Sequence, residues 1–284
     1  MNPYNPDYDF KQGNWHLIDD KAYPVQMGLA IDEMLFNKVD SQDYAGPNIV
    51  RFYQFSPPSV VLGNHQDIAE LDLEYIKYRN LQVGRRITGG GIIIMGVPDM
   101  YSQLGVSIII KNPPDFPSRL GKKFAILSQS IVGGLKLLGL PVQYNESTDI
   151  TIFGRKISGQ AIHATTSVTF FHSSILLDYD LEMMLGVVGK LKEPGAKEKY
   201  KNAYGTVMED LSKLHFPITD KVGIMREIKQ RLRLGCQLAF KAILLDQPLS
   251  PGELQAAELL LKEKHSTDDY IFNLKGTRYG SCFL

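Results

Sequence analysis

The stretch Gly84-Arg85-Arg86-Ile87-Thr88-Gly89-Gly90-Gly91-Ile92-Ile93-Ile94-Met95-Gly96-Val97 feeds two arginines into three consecutive glycines and a β-branched run. Glycine loses more backbone entropy on folding than any other residue. Three in a row therefore mark a place that needs unusual backbone angles or where another molecule comes close. Guanidinium forks suit carboxylate and phosphate, so Arg85 and Arg86 suggest that this molecule is anionic. A glycine-rich hairpin with surface arginines explains the same residues without a ligand, and for a lone triplet that plainer reading is the favoured one. The stretch is not a P-loop: Gly-x-x-x-x-Gly-Lys-Ser/Thr is missing, and a strand rather than a helix follows the glycines.

Outward from this stretch, 71–79 reads as a short helix, preceded by strands over 48–54 and 59–63 about Ser56-Pro57-Pro58. Further upstream, Met27, Ala30, Ile31, Met34 and Leu35 fall on one helical face of 25–39. Residues 1–13 read as a loose polar arm. Downstream, 92–95 and 105–110 have the β-branched content of strands. A helix over 121–138 stops at Gly139-Leu140-Pro141. Residues 149–153 and 156–164 read as a hairpin about Gly154-Arg155, glycine first as a type II′ turn prefers. A strand over 168–177, a helix over 181–191 and a charged, mobile connector over 190–204 follow. A long amphipathic helix spans 219–243. Ser250-Pro251-Gly252-Glu253 is a capping box opening a last helix to about 265, with a polar tail beyond. Strands and helices intermix without strict alternation, the mark of an α+β fold with mixed or antiparallel sheets flanked by helices. The expected organisation is an arm over 1–13, a catalytic domain over 14–248, and a C-terminal helix and tail over 249–284.

At 284 residues, with 44% hydrophobic and 22% charged residues, the chain has an ordinary globular composition. Lys plus Arg and Asp plus Glu both number 31, so no global field recruits nucleic acid or an anionic membrane. Anion binding must come from locally placed cations. Two cysteines, Cys236 and Cys282, make no disulfide framework and lack zinc-ligand spacing. The polar N-terminus has no signal-peptide core, and no apolar run is long enough to span a bilayer. A cytoplasmic protein is expected.

A second stretch runs Thr148-Asp149-Ile150-Thr151-Ile152-Phe153-Gly154-Arg155-Lys156-Ile157-Ser158-Gly159-Gln160-Ala161-Ile162-His163-Ala164. Arg-Arg-x-Thr-Gly-Gly-Gly followed by Thr-Asp-Ile-x-x-x-Gly-Arg-Lys-Ile-Ser-Gly resembles the lipoate–protein ligase family, within the biotin/lipoate protein ligase and octanoyltransferase superfamily. Met27-Gly28-Leu29-Ala30-Ile31-Asp32-Glu33 is similar to that family's first helix. Arg51-Phe52-Tyr53 and Val61-Leu62-Gly63-Asn64-His65-Gln66 are similar to its next strands, and His172-Ser173-Ser174-Ile175-Leu176-Leu177-Asp178 to the strand after the lysine hairpin. The resemblance is good from Trp15 to Asp180 and thin to about Asn273.

The resemblance implies ATP-dependent activation of lipoate to lipoyl-AMP. The acyl group then passes to a lysine of a lipoyl-domain acceptor, a 2-oxoacid dehydrogenase E2 or a glycine-cleavage H-type protein. Two anions must meet, which demands fixed positive charge and backbone donors. By the resemblance Lys156 is the main electrostatic catalyst. Arg86 and Thr88 with Gly89, Gly90 and Gly91 cradle the ligand, Asp149 holds Mg2+, and Ser158, Gly159 and Gln160 shape the acyl tunnel. His172 belongs to the pocket. Ile92–Ile94 and Phe170-Phe171 wall the tail, or serve only the core. Without the resemblance, Lys156 reads as a solvated hairpin lysine, Asp149 as a turn residue and His172 as a packed polar residue.

Two departures qualify the match. After the triple glycine the family has an apolar pair, an aromatic and His-Asp; here Ile92-Ile93-Ile94-Met95-Gly96 stands instead, without the His-Asp pair. The octanoyltransferases use a cysteine nucleophile near the lysine hairpin, yet 140–180 holds no cysteine, only Thr148 and Thr169 nearby. That favours the ligase over an acyltransferase working from an acyl carrier or between acceptor proteins; a non-catalytic paralogue that binds the acyl group or the acceptor is the third reading. Too little chain follows residue 243 for the family's accessory domain, so a separate accessory chain is an expected partner.

Overall fold

A computed structural model describes residues 8–145, 148–215, 217 and 220–273. The chain opens with β1 (Gly13–Asp19), α1 (Val25–Asp40), β2 (Ile49–Tyr53), β3 (Ser59–Leu62), a 3-10 turn, α2 (Leu73–Tyr78), β4 (Gln82–Arg85) and β5 (Ile93–Met95). Next come β6 (Gln103–Lys111), α3 (Leu120–Lys136), β7 (Val142–Tyr144), β8 (Asp149–Ile152), β9 (Arg155–Ala164) and β10 (Val168–Leu176). The remainder is α4 (Leu181–Val187), α5 (Ala196–Ala203), α6 (Val207–Lys213), α7 (Lys221–Phe240), β11 (Ala242–Asp246), α8 (Pro251–Leu260), a π-turn (Leu261–His265) and α9 (Asp268–Ile271).

Among the described residues, an eight-stranded mixed sheet runs β11-β1-β2-β6-β10-β9-β8-β7, and β4-β3-β5 form a second sheet. Period-2 alternation sorts side chains to the two faces of the large sheet. Phe171 and Ile175 of β10 join Leu127, Ile131 and Leu135 of α3 and Ile228, Leu232 and Phe240 of α7. Phe170 lies in the opposite cluster with Ile31 and Leu35 of α1 and Ala257 of α8. α3 and α7 approach backbone to backbone, because a Cβ on Gly235 would stand 2.3 Å from the Ser130 carbonyl oxygen. The small sheet packs its Val60, Leu62 and Val83 against Ile76 of α2, Met183 and Leu185 of α4 and Tyr200 of α5. This is the expected α+β architecture of a mixed sheet flanked by helices. The capping box at Ser250 and Glu253 is formed, with Pro251 in the first turn.

Four expectations are corrected. The connector over 190–204 contains α5, whose Tyr200 is buried, as is Tyr204 just after it. The hairpin turns on Phe153 (φ 49°) and Gly154 (φ 78°), with Ile152 opposite Arg155, so both turn residues have positive φ as in a type I′ turn. The late helix ends at Phe240 and the chain reverses through Lys241 (φ 49°) into β11, which lies parallel to β1. Its partner is more than two hundred residues away, so local periodicity does not reveal it. Finally, the described end of the arm is not loose: Phe10 is buried, edge-to-face on Phe240. Residues 1–7, the tail over 274–284 and Cys282 lie outside the described residues.

Candidate active site

The glycine segment joins β4 to β5 under the control of its two arginines. Arg85 is fully buried and donates to the carbonyls of Gly63 (2.9 Å), Gln66 (2.8 Å) and Ile271 (2.8 Å). It thereby ties the loop after β3 to α9. Arg86, also buried, donates from Nε to Thr88 Oγ1 (3.0 Å), from Nη2 to the Gly89 and Gly91 carbonyls (2.7 Å each) and from Nη1 to the Val61 carbonyl (3.2 Å). Burial pushes its guanidinium down to about 10, still far above neutrality. All three nitrogens are engaged, so both arginines shape the loop rather than stand free for an anion. Among the described residues the amides of Gly89, Gly90 and Gly91 meet no protein acceptor, and those amides are the loop's available donors. Gly90 takes φ 88°, a conformation that side chains disfavour.

Opposite the loop stands the β8–β9 hairpin. A bulge between Ile150 and Thr151 shifts its register, and Lys156 Nζ reaches Asp149 Oδ1 at 2.9 Å. Gly159 leaves room for that side chain: a Cβ there would lie 3.2 Å from Lys156 Cε and 3.3 Å from Nζ. The ammonium also sits 5.8 Å from the centroid of the Tyr204 ring.

His172 of β10 is buried beneath the loop, its Nε2 2.9 Å from Thr88 Oγ1. Burial, with the Arg86 charge beside it, pushes the imidazole down to about 3, so the ring is neutral. Thr88 Oγ1 already accepts from Arg86, which directs its own hydrogen to His172 Nε2. The histidine proton then resides on Nδ1, a buried atom without a partner among the described residues.

These groups surround a cavity of about 710 Å³. Arg86, Gly89, Gly90, Gly91, Asp149, Lys156, Gly159, Gln160 and His172 line it; Thr88 and Ser158 do not. Thr88 instead joins Arg86 to His172. Ser158 points to the other side of β9, where its hydroxyl meets Ser173 Oγ at 2.6 Å in the core. Ile92–Ile94, Val97, Leu176 and Met184 make an apolar wall, whereas Phe170 and Phe171 belong to the core alone. Where the family pattern carries His-Asp, this chain runs into β5, with Met95 opposite Ser59. Among the described residues no three His, Cys, Asp or Glu side chains converge as a metal cage would require. Sequence reasoning missed Tyr204 and Tyr179, which reach the cavity from opposite ends of the segment that holds α4 and α5. Nothing in their local pattern marks them. No helix among the described residues is long and apolar enough to cross a membrane.

A cavity with an ion pair at one place and an apolar wall at another suits an amphiphilic acid. A family profile described as the lipoyl protein ligase A/B catalytic domain matches residues 24–229. The octanoyltransferase LipM of Geobacillus kaustophilus is 26% identical over 282 residues, covering 91% of this chain and 98% of that protein. Lipoate-protein ligase A subunit 1 of Thermoplasma acidophilum is 26% identical over 262 residues, covering 88% and 93%. Among solved structures, a bi-partite lipoate protein ligase from Thermoplasma acidophilum, described with its E2 lipoyl domain, superposes with a TM-score of 0.76 at 23% identity, covering 95% of this chain and 98% of that one. A lipoate-protein ligase A bound with ATP gives 0.73 at 24%, covering 92% and 98%. Fold, motif order and profile agree, and the chain belongs to the lipoyl protein ligase A/B catalytic domain family.

Proposed function

We propose that this chain is an ATP-dependent lipoate–protein ligase. A carboxylate oxygen of lipoate attacks the α-phosphorus of ATP, pyrophosphate leaves, and lipoyl-AMP forms. A lysine amine of a lipoyl-domain acceptor then attacks the acyl carbon, losing a proton as AMP departs. Lys156 supplies a compact positive charge where the two anions meet, and the unpaired glycine amides supply oriented dipoles. Of the two carboxylates that line the cavity, Asp180 caps α4, and Asp149, beside Lys156, is the one we assign to Mg2+, an ion that keeps several waters and binds chiefly through phosphate oxygens. A single carboxylate fits that role, and the ion would offset phosphate charge.

One observation carries this reading against the octanoyltransferase alternative: among the described residues, no cysteine lines the cavity. The one described cysteine, Cys236, lies in α7 with its thiol buried and pushed up to about 12, a poor nucleophile. The matches to octanoyltransferase LipM keep transfer from an acyl carrier as the second reading. The relatives described as a subunit and as bi-partite support a separate accessory chain as partner. An E2 or H-type lipoyl domain is the acceptor to test first. The experiment incubates the chain with lipoate, ATP, Mg2+ and acceptor, with and without a candidate accessory chain, and reads intact mass. ATP-dependent lipoylation is expected. Acylation from octanoyl carrier protein without ATP would replace this reading with the second.

A further inference from the structure

Tyr204 is stitched to Lys156 in two ways. The two residues form an isolated β-bridge, with the Gly205 amide donating to the Lys156 carbonyl at 2.9 Å. The phenol ring also lies 5.8 Å from the lysine ammonium, within range of a cation–π contact. The ring itself is held: Tyr200 stacks on it at 6.1 Å and 10°, and Tyr179 meets it edge-on at 6.4 Å. Tyr204 is 4% exposed and lines the cavity, yet among the described residues its hydroxyl has no hydrogen-bond partner. A buried hydroxyl left unpaired is costly and calls for an explanation. Packing does not supply one, since phenylalanine would stack as well.

We propose that Tyr204 is a further substrate-binding residue, its hydroxyl donating to a carboxylate oxygen of the acid that Lys156 attracts and its ring holding the ammonium in place. This rests on the reading that a medium-chain carboxylic acid enters the cavity. Burial and the nearby Asp149 charge raise the phenol well above its ordinary value, so it stays a protonated donor at neutral pH.

Titration calorimetry on the full chain tests it, with octanoate or lipoate as acid and octan-1-ol as a tail probe without charge. Tyr204→Phe keeps the ring and should fold normally. Acid affinity should fall about 10- to 100-fold, the size of a lost hydrogen bond to a charged group. Octanol binding should change less than about threefold, since only its tail is recognised. Equal acid affinity in the variant and the parent overturns the proposal, and so does an equal loss for both probes, which would make the hydroxyl merely structural. If the parent binds acid but forms no lipoyl-AMP with ATP, the ligase reading fails while Tyr204 keeps its role. A parent that binds neither acid overturns both.

Discussion

Lys156 Nζ lies 2.9 Å from Asp149 Oδ1, although Lys156 faces Thr151 in the ladder and Asp149 faces Gly159. The bulge at Ile157 of β9 and the missing side chain at Gly159 let the lysine fold back along the cavity wall. Both partners are 23% exposed, so the pair contributes little to stability. Its consequence is positional. Lys156→Ala should leave the urea midpoint almost unchanged and cut lipoyl transfer by at least about 100-fold, the usual cost of losing a preorganised electrostatic donor. Lys156→Arg should not restore it, because a planar fork cannot replace a compact ammonium. Intact-mass kinetics beside a denaturation curve separate the two effects, and full activity in Lys156→Ala removes the mechanism.

Gly159→Ala tests the same lysine without touching it. The added methyl would lie 3.2 Å from Lys156 Cε, the end of a flexible side chain that can swing aside at small cost. Stability should change by less than about 1 kcal/mol, while transfer falls at least about tenfold because the ammonium is displaced. An active Gly159→Ala protein would show that the lysine position seen here is not the working one.

Most of the framework can be read from local residues. The face of α1, the capping box and the order of strands about the glycine triplet all follow from spacing and turn chemistry. The failures share a cause. β11 is recognisable only through β1, α5 only through the tyrosines it stacks, and the inward turn of Ser158 only through the bulge that changes which β9 residues face the cavity. The arginines illustrate the limit best. Their type and position suggest anion binding, and only the hydrogen-bond partners reveal that both are occupied by carbonyls. Residue type announces chemistry; tertiary contact decides whether that chemistry is already used.

Arg86→Met should therefore behave as a folding mutation first. It strands the carbonyls of Gly89, Gly91 and Val61 and removes the donor that orients Thr88. A loss of about 3 kcal/mol is expected, since buried unpaired acceptors each cost about 1–3 kcal/mol and partly relax. Arg86→Lys should recover less than half, lacking the fork. Urea midpoints measure this; an unchanged midpoint would mean that the loop holds itself.

The neutral His172 makes stability depend on pH. In the unfolded chain its imidazole takes a proton below its ordinary value of 6.5, whereas the folded ring resists until about 3. Between those limits the unfolded state binds more protons, so stability falls as pH falls. At pH 5 this amounts to about 2 kcal/mol. His16 and His163 are lowered too, by burial, and act in the same direction. The parent should thus lose about 2 kcal/mol more than His172→Gln between pH 7 and pH 5. Parallel stability curves for the two proteins would place the histidine in water.

The final test concerns sulfur. Acyl transfer through a thioester needs an accessible thiolate, and Cys236 is buried in α7 against α3, outside the cavity lining. A variant with Cys236→Ala and Cys282→Ser removes both cysteines of the chain. Its fold should weaken by about 1 kcal/mol at Cys236, where a small buried side chain is truncated. Per folded molecule it should keep at least half of the parent's transfer rate, and iodoacetamide should not inhibit the parent while it is folded. A cysteine-free protein that folds and binds acid but transfers nothing would overturn the adenylate route. The acyl group would then have to travel on a thiol that the described cavity does not contain.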